Sequence, residues 1–204
     1  MIDVSILRLI AITDNIRDGK EGLIARAAAA AHGGATCIQL RLKDVPPRDL
    51  VGVARELVLA VGVPVLVNDR ADVAIAAGAA GVHLGIDDIP PAAIRQIVPP
   101  DFIIGVSVGN DAEVENAAGA DYAGIGPFFI TASKGDAGTP LGPEEFARLA
   151  AAVGIPSVAV GGVTAENAAI AVAAGAAGLA VIAGVFASSD PEGAARRVRS
   201  ASGI

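Results

Sequence analysis

Residues 64–84 read PVLVNDRADVAIAAGAAGVHL, and this stretch holds the unit from which the rest of the chain is built. Val65, Leu66 and Val67 form a short apolar run that stops at Asn68-Asp69-Arg70. Apolar residues on consecutive rather than alternate positions suit a strand buried on both faces of a parallel sheet. Residues 71–77 then change to an Ala-rich pattern with helical spacing, and Gly78 follows where a left-handed helix cap wants glycine. Gly81-Val82-His83-Leu84 begins the next apolar run. The reading is strand, helix, strand.

The same alternation continues outward in both directions. Apolar runs at 7–13, 36–42, 64–68, 81–84, 102–107, 122–127, 157–161 and 178–183 are closed by Gly, Asp, Asn or Ser. Between and after them lie segments with helical spacing at 22–31, 47–60, 71–77, 90–97, 112–118, 143–152, 165–174 and 191–200. Pro47, Pro143 and Pro191 suit the first helical turn, where a missing N–H costs little. Eight strand–helix units predict a parallel sheet with right-handed crossovers, closed into a (β/α)8 TIM barrel. An open doubly wound sheet uses about five or six strands, and no GxGxxG follows the first run. Residues 1–204 therefore read as a single barrel domain of the α/β class.

Composition narrows the function classes. With 53% hydrophobic and 18% charged residues, the chain is expected to bury a substantial core rather than remain disordered. The mean hydropathy of +0.59 is carried largely by Ala and Gly, and no membrane span is expected. A formal charge of −7 and a pI near 4.7 argue against a nucleic-acid binder, which needs a basic face. The start, Met1-Ile2-Asp3-Val4, lacks the basic region of an export peptide. The single cysteine, Cys37, lies in an apolar run and reads as a small buried hydrophobe, so a reducing, cytoplasmic setting is expected. The partners expected are small molecules, and self-association into a homo-oligomer is left open.

In such a barrel the chemistry sits at the C-terminal ends of the strands, and polar residues collect there. Gln39, Arg41 and Lys43 alternate with Leu40 and Leu42, so on a continuous strand the three polar groups share one side. Three such groups at a barrel mouth suit an anionic ligand better than an internal ionic layer, which is costly to bury. Asp69 and Asp88 come from neighbouring units; each could cap a helix, yet together, beside basic residues, they suit Mg²⁺. Gly161-Gly162 after the seventh run serves either a tight turn or the close approach of backbone to a phosphate. His83 reads as a hydrogen-bonded strand residue, and His32 falls at a helix end. Asp111, Glu113 and Glu115 read as a solvated helix face. Phe128 and Phe129 either pack a loop or wall an aromatic substrate.

Taken together, the segments IAITD (10–14), IQLRLK (38–43), VLVNDRAD (65–72), GVHLGIDDIP (81–90), IGVS (104–107), ADYAGIGPFFITASK (120–134), VAVGGVTAEN (158–167) and GLAVI (178–182) resemble thiamine phosphate synthase, in order and over essentially the whole chain. The resemblance implies a Mg²⁺-dependent transferase that joins hydroxymethylpyrimidine diphosphate to thiazole phosphate. Diphosphate leaves first and the thiazole nitrogen captures a pyrimidine carbocation. It assigns Gln39, Leu40, Arg41, Leu42 and Lys43 to the pyrimidine diphosphate, with Asn68, Ser107 and Lys134 as further contacts. Catalysis would fall to Arg41, Lys43, Ser107 and Lys134. It assigns Asp69 and Asp88 to the metal. Thr131, Ala132, Ser133, Gly162, Ile182 and Ala183 fall to the thiazole phosphate.

The chain departs from the family pattern in three places. The usual Thr-Pro-Thr-Lys loop is Thr131-Ala132-Ser133-Lys134, the usual Ser-Thr-His is Ser107-Val108-Gly109, and a common Ser is Ala183. These changes leave the diphosphate and metal half complete and touch the thiazole half. Related thiazole tautomerases use a His after the fifth strand, which Val108 and Gly109 cannot replace. Three other readings are carried forward: a thiazole tautomerase-like paralogue, a non-catalytic binder of thiamine precursors, and a phosphate-binding aldolase or isomerase with Lys43 or Lys134 as a Schiff-base amine. Residues 130–141, with Gly135, Gly138 and Pro140, read as a lid.

Overall fold

The computed structural model describes residues 2–14, 18–131 and 138–204. Its strands are β1 (Leu9–Ile12), β2 (Cys37–Leu40), β3 (Val65–Asn68), β4 (Gly81–Leu84), β5 (Ile103–Val108), β6 (Tyr122–Ile125), β7 (Ser157–Val160) and β8 (Gly178–Val181). Each pairs in parallel with the next, and β8 returns to β1 through Leu9↔Leu179 and Ala11↔Val181, closing the barrel. The α-helices are α1 (Gly19–His32), α2 (Pro47–Ala60), α3 (Ala71–Ala77), α4 (Pro91–Arg95), α5 (Gly142–Val153), α6 (Ala168–Ala173), α7 (Ala183–Phe186) and α8 (Pro191–Ser202). The (β/α)8 expectation is met. No helix among the described residues is long and apolar enough to cross a membrane.

Consecutive strand residues face opposite sides, and the two sides build two cores. Ala11, Ile38, Leu40, Val67, Val82, Leu84 and their neighbours pack outward against the helices. Ile10, Cys37, Leu66, Ile103, Tyr122, Val158 and Ala180 fill the lumen. The apolar runs lacked polar alternation because both faces are covered. Cys37 is fully buried, and that burial pushes its thiol up to about 12, which suits packing rather than nucleophilic work.

Four local expectations need correction. Leu7 belongs to a 3-10 helix (Val4–Leu7) that plugs the lower lumen, not to β1. Strand β2 stops at Leu40, and the chain turns away by Asp44 at φ +61°, so Arg41, Leu42 and Lys43 lie beyond the ladder. The segment expected as a helix at 112–118 is a 3-10 helix (Asp111–Ala117), opened by the Asn110 side chain accepting from Ala112 N–H. Finally, α7 follows β8 directly, so Ala183 opens a short helix instead of ending a strand.

Candidate active site

The C-terminal mouth of the barrel widens into a cavity of about 1080 Å³. Gln39, Arg41, Asn68, His83 and Ser107 line it from β2 to β5, and Thr131, Gly162, Ile182 and Ala183 line it from the other side. Eight of the expected site residues thus face one space, whereas Lys43, Asp69 and Asp88 are not among the residues lining it. Leu40 is 1% exposed and packs in the outer core, with Leu42 against it, so neither side chain reaches the cavity. Ala132, Ser133 and Lys134 lie outside the described residues, as does the middle of the 130–141 segment. Its flanks, including Ile130, Gly138 and Leu141, line the cavity.

Arg41 owes its position to a neighbour. The Thr13 hydroxyl, completely buried after β1, accepts from Arg41 N–H at 2.8 Å and donates to Arg41 C=O at 3.2 Å. These two bonds replace the ladder that β2 has just left and satisfy backbone groups that would otherwise be stranded. Lys43 is exposed two residues further on. Asp14, also at a strand end, is held by Arg26 at 3.0 Å in an ion pair.

Asp69 and Asp88 meet. Asp69 sits at φ +65°, a left-handed conformation that Asp tolerates better than most side chains, and its N–H donates to His83 C=O at 2.8 Å. The cap position of α3 is Arg70 and that of α4 is Pro90, so neither aspartate is the helix N-cap considered from the sequence. Loss of hydration, the Asp88 carboxylate and a hydrogen bond with it all raise the Asp69 carboxyl above its ordinary range; Lys43 and Arg41 pull it back. Asp88 also accepts from Gly85 N–H at 2.6 Å, which fixes the loop after β4.

Two carboxylates crowded into contact are a strained pair that a divalent cation relieves. Among the described residues no cluster of three or more His, Cys, Asp and Glu could hold a metal. A hard ion that takes two carboxylates and completes its shell with water and phosphate oxygens fits this donor set; Zn²⁺, with its nitrogen and sulfur preference, does not. The residues therefore suit Mg²⁺.

Below the mouth a polar chain crosses the lumen. His83 Nδ1 lies 2.9 Å from the Tyr122 hydroxyl and His83 Nε2 lies 3.1 Å from Ser107 Oγ. Gln39, 2% exposed, lies near the Tyr122 phenol, whose titration burial pushes well above its usual range. His83 is the hydrogen-bonded strand residue expected. Tyr122 was missed because it sits inside an apolar run. The available signal was glycine in mid-strand: a Cβ at Gly105 would fall 2.3 Å from the Tyr122 ring, and one at Gly124 would fall 3.0 Å from His83 Cε1.

The opposite wall presents backbone. Gly162, at φ +65°, passes so close to the β6 loop that a Cβ would meet Ile130 O at 2.5 Å. Asn167 locks this turn, accepting from Thr164 N–H at 2.8 Å and donating to Gly162 C=O at 2.9 Å. Phe128 is buried against Phe129 and Phe146, with centroids 4.7 and 5.2 Å away, so these rings pack the loop. Glu113, expected on a solvated face, instead accepts from Gly109 N–H at 2.6 Å and lines the cavity. Asp111 lies on the outside, paired with Arg148 at 2.8 Å.

Residues 9–185 match a family model described as thiamine monophosphate synthase. A thiamine-phosphate synthase of Roseiflexus sp. (strain RS-1) is 46% identical over 190 residues, covering 91% of this chain and 80% of its own length. That of Methanoculleus marisnigri is 51% identical over 178 residues, with 85% and 84% covered. Among solved structures, thiamine phosphate pyrophosphorylase from Pyrococcus furiosus superposes with a TM-score of 0.82 at 33% identity, covering 98% of this chain and 97% of that one.

Proposed function

The chain belongs to the thiamine monophosphate synthase family and is a transferase of thiamine biosynthesis, and from that premise we propose that it joins hydroxymethylpyrimidine diphosphate to thiazole phosphate. In the proposed reaction the C–O bond to the diphosphate breaks first and the leaving group keeps the electron pair. The thiazole nitrogen then donates its own pair to the pyrimidine carbocation, giving thiamine phosphate. Such a route calls for anion stabilisation and needs no nucleophilic side chain.

The observation that carries this reading is the contact between Asp69 and Asp88 within the field of Lys43 and Arg41, beside a cavity that Arg41 and Asn68 line and that is large enough for two small substrates. Arg41 offers a planar fork to phosphate oxygens and Lys43 a point charge. Lys134 adds a second ammonium in the family assignment. Gln39, Asn68 and Ser107 hold the pyrimidine ring, with Leu40 and Leu42 contributing backbone only. Asp69 and Asp88 would hold Mg²⁺, which when bound supplies positive charge to the departing diphosphate. Thr131, Ala132, Ser133, Gly162, Ile182 and Ala183 form the thiazole phosphate side.

Val108 is buried in the outer core and Gly109 has no side chain, which supports a synthase over a tautomerase that needs a proton shuttle here. The same reading takes residues 1–204 as one barrel domain working in the cytoplasm, in keeping with the inert Cys37 thiol. Purified protein given both substrates and Mg²⁺ is expected to release diphosphate and thiamine phosphate in equal amounts. No product at saturating substrate rejects the proposal.

A further inference from the structure

Gln39 and Ser107 both face the cavity, yet they stand on β2 and β5 with two strands between them. Between them the buried Tyr122 phenol meets His83 Nδ1 and His83 Nε2 meets Ser107 Oγ, with Gln39 close to the phenol. Tyr122 is completely buried and His83 is 8% exposed. The glycines at 105 and 124 leave the space these two rings occupy. Buried polar chains of this kind act as a unit, because each hydroxyl or ring nitrogen that donates on one side must accept on the other.

We propose that Tyr122 is a positioning residue whose hydroxyl fixes one tautomer of His83 and thereby sets which hydrogen-bonding group Ser107 presents to the cavity. The phenol O–H donates to His83 Nδ1, its hydrogen-bond partner in the lumen. His83 then carries its proton on Nε2 and donates to Ser107 Oγ. The Ser107 O–H is left to donate into the cavity. The pocket so prepared takes a heteroaromatic edge with a ring nitrogen acceptor, and it rejects an edge whose ring nitrogen carries hydrogen. This inference rests on the proposed reaction for its substrate and on the hydrogen-bond chain alone for its device.

The chain contains two histidines, His32 and His83, so the imidazole signals of ¹⁵N-labelled protein are simple to assign. Wild-type protein is expected to show His83 in the Nε2–H tautomer, and Y122F is expected to show an average of both tautomers. Losing one buried hydrogen bond of this kind changes binding by about tenfold. In Y122F the KM for the aminopyrimidine substrate should therefore rise about tenfold with the KM for the second substrate unchanged, a split that a general loss of stability would not give. Mixed tautomers in the wild type, or Y122F with an unaltered His83 spectrum and unaltered KM, overturn the proposal. The wild-type spectrum decides the matter if Y122F does not fold. It also decides it in a protein without turnover, a result that would remove the proposed reaction and leave the device standing.

Discussion

The two walls of the cavity are made of different materials. From β2 to β4 the mouth is bordered by charged side chains: Arg41 in the lining, with Lys43, Asp69 and Asp88 beside it, steadied by the buried Thr13 hydroxyl and the Gly85 amide. From β6 to β8 it is built of backbone: the Gly161-Gly162 turn tied by Asn167, and the Ile182-Ala183 entry to α7. A departing diphosphate concentrates charge and calls for cations that can follow it. A phosphate that serves only as a handle is held well enough by peptide N–H groups in a rigid turn. Of the three departures from the family pattern, Ala183 falls on the backbone wall and Val108-Gly109 beside it, while Ala132-Ser133 lies outside the described residues.

That contrast can be broken in order of effect. D69N or D88N should lower the rate of product formation by about a hundredfold or more, since each removes half of the carboxylate pair proposed for Mg²⁺. Steady-state diphosphate release against Mg²⁺ concentration checks it, and a variant within threefold of wild type would place the metal elsewhere. G162A comes next. It adds a Cβ 2.5 Å from Ile130 O at a left-handed position, so the turn must shift. The KM for thiazole phosphate should rise about tenfold, while that for the pyrimidine diphosphate stays put. A rise shared equally by both substrates would deny that the walls act separately. The smallest effect belongs to A183S. If this wall works through backbone, restoring the family's hydroxyl should change kcat/KM by less than about threefold, within the usual range for a substitution that disturbs no buried contact.

The fold was legible because every strand is covered on both faces, which writes a run of consecutive apolar residues into the sequence, and because proline and glycine mark the helix ends. What was hidden followed from geometry that residue type does not record. The alternation Gln39, Arg41, Lys43 continues past the point where β2 stops, since nothing in it announces the turn at Asp44. The caps expected of Asp69 and Asp88 were reasonable for isolated residues, and only the register of β3 on β4 brings the two carboxylates together. Tyr122 looked like core and is core, but its hydroxyl also spans the lumen, a role signalled only by the mid-strand glycines. Glu113 turned inward because the 3-10 helix brings its carboxylate back onto Gly109 N–H. The charged half of the site could be read residue by residue; the backbone half could not, because its donors belong to the chain and not to side chains.

The central claim is that Arg41, Lys43, Asp69 and Asp88 form one receptor for diphosphate. Calorimetric titration with inorganic diphosphate, with and without Mg²⁺, tests it without requiring turnover. Wild-type protein should bind diphosphate only when Mg²⁺ is present, and R41A and D69N should lose that binding while keeping their affinity for thiazole phosphate. Equal binding of diphosphate by all three proteins, with or without the metal, would contradict the account.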